Sequence, residues 1–189
     1  MKFDIARQPL VPAFMTLFAL AVAAMCAGIP VPDTETSGAV REALPLLGGQ
    51  LARFQAAYPV WSKFAAGFML LFAGMCTGRI SIRYNLYTVG TCLPIPLYAI
   101  VACGIATGGN YLAGFAASML LALATKNYCR AFCNGYGFDA IFRASLYLGL
   151  MPLIYAPALP LLLLLPLAVL LFRRTFREVV VATAGLLLP

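Results

Sequence analysis

The chain has 189 residues, of which 63% are hydrophobic and only 10% are charged, and its mean hydropathy is +0.93. A soluble domain carries about a quarter charged residues, so this composition argues against a water-soluble globular protein. The net charge of +7 comes from Lys and Arg residues placed at the ends of apolar segments, which is typical of topology signals rather than of a nucleic-acid surface. The sequence has no histidine, which excludes imidazole bases, His metal ligands and His proton relays.

Long apolar segments predict an all-α, polytopic transmembrane helix bundle that forms one domain over residues 1–189. A span needs about 20 mostly apolar residues, and backbone groups in lipid must be satisfied within the segment. The first segment is longer than a signal-peptide core of about 7–15 residues, which favours an uncleaved anchor. We predict six spans and a partial seventh, at residues 10–29, 60–78, 86–106, 111–125, 140–155, 158–172 and 179–189.

Residues 30–59 are the one long polar stretch, and they predict an external interfacial segment. Prolines interrupt it, and apolar residues at helical spacing predict one or two short helices in the interface plane. Tyr58 and Trp61 then mark the level of the lipid headgroups.

The Lys and Arg residues predict the orientation. With a cytoplasmic N-terminus, ten of the 13 Lys and Arg residues lie inside, and only Arg41, Arg53 and Lys63 lie outside. This asymmetry follows the positive-inside rule. We therefore expect a multi-pass membrane protein with its N-terminus in the cytoplasm.

The basic residues of the inner segments are the first candidate site. Arginine donates two parallel hydrogen bonds to phosphate, so a ring of such residues predicts contact with an anionic headgroup. The alternative is that they only retain the topology and touch anionic lipids non-specifically. The candidate contacts are Arg79, Arg83, Lys126, Arg130, Arg173, Arg174 and Arg177.

Asp139 and Arg143 are four residues apart at the start of the fifth span, which predicts a helical ion pair. A proton-carrying role for Asp139 is the alternative. No charged residue lies near the middle of a predicted span, which argues against a proton pump. No nucleophile, base or metal-ligand set is visible, so we expect no enzyme activity, no cofactor and no metal.

Other features leave alternatives open. The six cysteines are expected to be small apolar residues of the helices, and acylation or metal binding at Cys129 and Cys133 is the less favoured reading. Prolines in the spans mark either a transport path or simple helix kinks. Small-residue faces such as Gly74–Gly78 predict close helix packing and a possible homo-oligomer. Residues 69–99 and 119–156 suggest a parallel hairpin repeat, which chance similarity between apolar sequences also explains.

The last 55 residues or so resemble a known group of proteins. The segments Gly137–Ala140, Phe172–Glu178 and Ala184–Pro189, with a Leu/Pro-rich stretch between them, resemble an uncharacterised family of bacterial polytopic inner-membrane proteins. The resemblance implies no activity and no site residue. It implies that the chain continues beyond residue 189.

The sequence predicts two kinds of function. The first is a transporter-like bundle that handles a lipidic or anionic substrate, which the proline-broken helices favour. The second is a non-catalytic structural subunit of a membrane or cell-envelope assembly, which the lack of charge at mid-membrane favours. Membrane lipids are the expected partners in both cases, with an envelope-complex partner in the second, and nucleic acid is not expected.

Overall fold

The computed structural model describes residues 10–26, 46–84, 91–106, 110–133, 137–163 and 176–189. Over these residues the chain is all-helical, which confirms the predicted all-α class. The elements are α1 (Leu10–Cys26), α2 (Leu46–Ala57), α3 (Pro59–Arg83), α4 (Pro94–Ala106), α5 (Tyr111–Cys133), α6 (Phe138–Ile154), a 3-10 helix (Ala156–Leu163) and α7 (Phe176–Leu187).

Helix α3 is the one described helix that is long and apolar enough to cross a membrane. Its 25 residues span about 37 Å at the usual rise per residue. Helix α1 and residues Pro94–Ile105 of α4 are apolar but shorter. The structure therefore supports one span by length and composition.

Helices α1, α3 and α4 run in alternating directions. Leu17 packs against Gly74 and Met25 against Gly67, so α1 is antiparallel to α3. Ile95, in the first turn of α4, packs against Gly78 in the last turns of α3. The chain thus turns back after α3.

Helix α5 runs parallel to α3, because residues near the starts of both helices are bonded and residues near their ends line one cavity. Helix α6 is antiparallel to α5, since Met151 near its end clusters with Ala117 in the first half of α5. Helix α7 is parallel to α6: Ala182 clusters with Ala140, and Pro189 lies beside Gly149. All these directions agree with a chain that alternates between two ends of a bundle.

The charges divide between these two ends. We call the end where α3 and α5 finish and α6 and α7 begin the basic end. It carries Arg79, Arg83, Lys126, Arg130, Arg143 and Arg177, whereas Arg53 and Lys63 lie at the opposite end.

Alanines are numerous inside the bundle, together with some larger apolar side chains, and many large apolar residues lie on its outside. Ala73 and Ala99 are completely buried, whereas Phe64, Phe68 and Val101 are between 61% and 74% exposed. Large exposed apolar patches are uncommon on soluble monomeric proteins. Close packing of small residues, with large apolar groups turned outward, is typical of helices in lipid.

Several helices begin or end away from the predicted span boundaries. The third span was predicted from residue 86, but residues 91–93 are not helical and α4 begins at Pro94. Proline has a fixed φ that suits the first turn of a helix, so Pro94 and Pro96 begin α4 instead of kinking it. The polar turn after residue 125 is helical, because α5 continues to Cys133.

The C-terminal elements also differ from the prediction. Residues 156–163 form a 3-10 helix where the sixth span was predicted, and Pro160 lies inside it. Proline donates no backbone hydrogen bond and disfavours a continuous α-helix. The remainder of that span, residues 164–172, lies outside the described residues. Helix α7 begins at Phe176, three residues before the predicted partial span.

Candidate anionic-headgroup site

The candidate site begins with one face of α3. Cys76, Arg79 and Arg83 follow each other at intervals of three and four residues, so they lie on the same side of the helix. The two arginines occupy the last turns of α3, where the negative end of the helix dipole stabilises cations.

A second helix brings a third cation to this face. Lys126 of α5 lines one cavity with Arg79 and Arg83. The parallel arrangement of α3 and α5 explains this, since both helices end on the same side of the bundle. The structure thus brings together three of the predicted headgroup contacts.

The cavity has a volume of about 670 Å³ and is partly open to the surroundings. This lies within the range of about 300–1,000 Å³ that is usual for ligand pockets. Leu10 of α1 and Ile95 of α4 complete its wall, so four helices contribute to it. Apart from the three cations, the wall is mostly apolar, and it includes Phe72 and Met75.

The three cations form no hydrogen bond or ion pair within the described part of the protein. Arg79, Arg83 and Lys126 are exposed, and their side chains make no hydrogen bond or ion pair with any described residue. No Asp or Glu is found among the described residues that line the cavity. The described lining therefore combines three cations with an apolar wall and contains no acidic side chain.

The other predicted contacts lie apart from this cavity. Arg130 is one turn beyond Lys126 on α5, is exposed, and does not line the cavity. Arg177 is exposed in the first turn of α7. Arg173 and Arg174 lie outside the described residues.

The predicted ion pair is present. Arg143 Nε donates to Asp139 Oδ1 over 3.0 Å, and both side chains are more than half exposed. Asp139 also lies in the first turn of α6, where the positive end of the helix dipole favours a carboxylate. An exposed pair of this type stabilises a helix by about 0.3–0.5 kcal/mol, which identifies it as a local feature of α6.

Sequence reasoning missed several residues of this region. Cys76 and Phe72 precede Arg79 by three and seven residues, so helical spacing from the arginines would have placed them on the same face. Leu10 and Ile95 line the cavity only because α1 and α4 pack against α3. No local sequence pattern predicts that packing. Glu178, in the first turn of α7, is only 2% exposed and lies on the buried face of that helix with Ala182 and Gly185.

The described cysteines do not form a metal site. Cys26, Cys76, Cys92 and Cys103 are free thiols, and the described residues contain no group of three or more potential Cys, Asp or Glu ligands. The side chain of Cys133 lies outside the described part of the chain.

No protein-family model, curated protein or solved structure matches the chain. The resemblance of the C-terminal third to an inner-membrane family stays a prediction.

Proposed function

We propose that the chain is a multi-pass protein of the bacterial inner membrane that binds an anionic amphiphile at its basic end, as the recognition step of a transporter-like activity. The observation that carries this proposal is the cavity in which three cations, unpaired within the described part of the protein, meet an apolar wall. A free anion needs only the cations, and an uncharged lipid needs only the apolar wall. A molecule with a negative headgroup and an apolar chain uses both.

The placement of the cavity supports a ligand that comes from the membrane. Phe72, Met75 and Ile82 line it, and each is between 38% and 45% exposed. The wall thus continues onto the outer surface of α3, the helix that is long enough to span a bilayer. An amphiphile can place its headgroup at the arginines and keep its chain in the lipid beside α3.

The proposed topology has six spans and a partial seventh, with the basic end in the cytoplasm. The alternating directions of the described helices support this topology, as does the collection of Arg and Lys at one end. Reporter fusions test the orientation. Alkaline phosphatase should be inactive when it is fused after residue 128 and active after residue 45, and the reverse pattern would overturn the proposed orientation.

Binding is tested with the full chain in mild detergent, by native mass spectrometry against phosphatidylglycerol and phosphatidylcholine. We expect retained phosphatidylglycerol, and we expect the double variant Arg79→Gln/Arg83→Gln to lose most of it. Arg130→Gln is the matched control, since it removes a cation from the same end but outside the cavity. Equal losses in both variants would indicate non-specific attraction to the basic end and would overturn the proposed site.

A structural subunit is the second candidate, and the packed interior favours it. Ala66, Leu70, Ala99 and Ala102 belong to one buried apolar cluster shared by α1, α3, α4 and α5. Proteoliposomes with a fluorescent anionic lipid separate the two candidates. Transport predicts faster exchange of the lipid between leaflets than in protein-free vesicles, with the acceleration lost in the Arg79→Gln/Arg83→Gln variant. A subunit predicts no acceleration and co-purification of a stoichiometric partner.

A further inference from the structure

We infer that the cavity at the basic end selects a lipid whose headgroup is a phosphomonoester, in preference to a phosphodiester lipid. This inference rests on the proposed binding of an anionic amphiphile and specifies its chemical class. Three observations carry it: the number of cations, the spacing of the two arginines on α3, and the absence of a carboxylate among the described lining residues.

The charge balance comes first. Arg79, Arg83 and Lys126 bring three formal positive charges to one cavity. A phosphodiester carries one negative charge, which leaves two cations uncompensated. A phosphomonoester carries a charge of about −1.5 to −2 at neutral pH and therefore neutralises most of the rim.

The spacing of the arginines adds a second argument. Arg79 and Arg83 are four residues apart on one helix face, an arrangement in which like charges repel each other. A ligand that lies between them and carries two charges relieves this repulsion more than a ligand with one charge. The spacing of Arg79 and Arg83 therefore favours a dianion over a monoanion.

The hydrogen-bond geometry agrees with the charge balance. A phosphomonoester has three unsubstituted oxygens, all strong acceptors, and three cationic donor groups line the cavity. A diester has two such oxygens. The planar guanidinium of Arg donates two parallel bonds to phosphate, which makes it more selective than the ammonium of Lys.

The apolar wall identifies the source of the phosphate as a lipid. Leu10, Phe72, Ile82 and Ile95 line the same cavity as the cations. Inorganic phosphate would leave these side chains without a partner, whereas the first methylene groups of a lipid chain cover them.

The test compares two lipids that differ by one methyl group. Phosphatidic acid is a monoester, and phosphatidylmethanol carries the same chains with the phosphate capped as a diester. Their affinities are measured with the full chain in detergent, by native mass spectrometry titration. We expect phosphatidic acid to bind about tenfold or more tightly, since it gains at least one charge-assisted hydrogen bond.

Variants connect the preference to the three cations. Arg79→Gln and Lys126→Gln should each reduce the preference, and Arg79→Lys should reduce it partly because the charge remains and the planar fork is lost. Arg130→Gln should retain it. Thermal unfolding of each variant checks that the bundle is intact. Because the substituted side chains are exposed, we expect the variants to remain folded.

The outcomes separate the two proposals. Equal affinity for both lipids, lost in Arg79→Gln but not in Arg130→Gln, overturns the monoester inference and leaves the anionic-amphiphile site in place. Equal losses in Arg79→Gln and Arg130→Gln overturn both. Inorganic phosphate that displaces phosphatidic acid at similar concentrations overturns the lipid as the source.

Discussion

The hydroxyl of Tyr111 lies 2.5 Å from Ser62 Oγ and joins the start of α5 to the start of α3. Both residues are buried. Ser62 Oγ also donates to the carbonyl of Pro59 over 2.8 Å. A serine hydroxyl has one proton, so Tyr111 must be the donor to Ser62. Tyr98 and Ser118 form a similar pair between α4 and α5, with Ser118 bonded to the carbonyl of Phe115.

The direction of this bond predicts an unequal effect of two substitutions. Tyr111→Phe removes the donor and leaves Ser62 bonded to Pro59, so it should lower the free energy of unfolding by about 0.5–1.5 kcal/mol. Ser62→Ala leaves the buried Tyr111 hydroxyl without its acceptor and should cost about 1–3 kcal/mol. Unfolding of both variants in detergent by chemical denaturant checks the order. A larger loss in Tyr111→Phe would contradict the assigned donor.

Close contact between α6 and α7 depends on two glycines. A Cβ at Gly149 would lie 2.8 Å from the carbonyl oxygen of Leu186, and one at Gly185 would lie 2.8 Å from that of Phe142. Backbone atoms cannot move aside as a flexible side chain can. Gly149→Ala and Gly185→Ala should therefore separate the helices and destabilise the protein by about 1–3 kcal/mol.

The matched control for these glycines is Gly104, where an added Cβ meets no atom within 4 Å. Gly104→Ala should be neutral, or stabilise α4 by up to about 1 kcal/mol through helix propensity. Thermal unfolding in one detergent compares the three variants. A similar melting temperature for Gly185→Ala and Gly104→Ala would show that α7 does not pack closely on α6.

The apolar pattern of the sequence located the helices better than it located their ends. It predicted the start of α1 at Leu10 and the short helix within residues 30–59. It ended the second and fourth spans near Gly78 and Thr125, but α3 and α5 continue to Arg83 and Cys133. Hydropathy marks where apolar composition ends, whereas polar helix formers such as Arg and Lys continue the hydrogen-bonding pattern.

The candidate site was predictable in part for a similar reason. The positive-inside pattern identified Arg79, Arg83 and Lys126 as residues of one side, but it gave the same weight to Arg130. The distinction comes from packing, because only the first three line the cavity shared by α3 and α5. Residues that meet through tertiary contacts, such as Leu10 and Ile95, leave no periodic signal in a single sequence.

The single tryptophan offers a test of the lipid-facing surface. Trp61 is 68% exposed on α3, at the end opposite the arginines, and lines a groove with Phe64 and Phe68. In a bilayer, Trp61 should lie at the headgroup level. We expect bromine atoms near the headgroups to quench its fluorescence more strongly than bromine atoms at the ends of the acyl chains. Lack of quenching by either lipid would contradict the membrane location of α3.

Cys76 provides a direct measure of occupancy in the cavity. Its thiol is free and half-buried, and it lines the cavity next to Arg79. The test uses a variant whose other cysteines are replaced by alanine, in which a small maleimide should modify Cys76 slowly. An anionic lipid at saturation should slow this reaction by at least about threefold, because a bound ligand covers the lining of the cavity. A variant that keeps only Cys103, which is also half-buried but lies outside this cavity, should react at the same rate with and without the lipid. Equal protection of both thiols would indicate a general effect of the lipid on the bundle, and no protection of Cys76 would place the bound headgroup elsewhere.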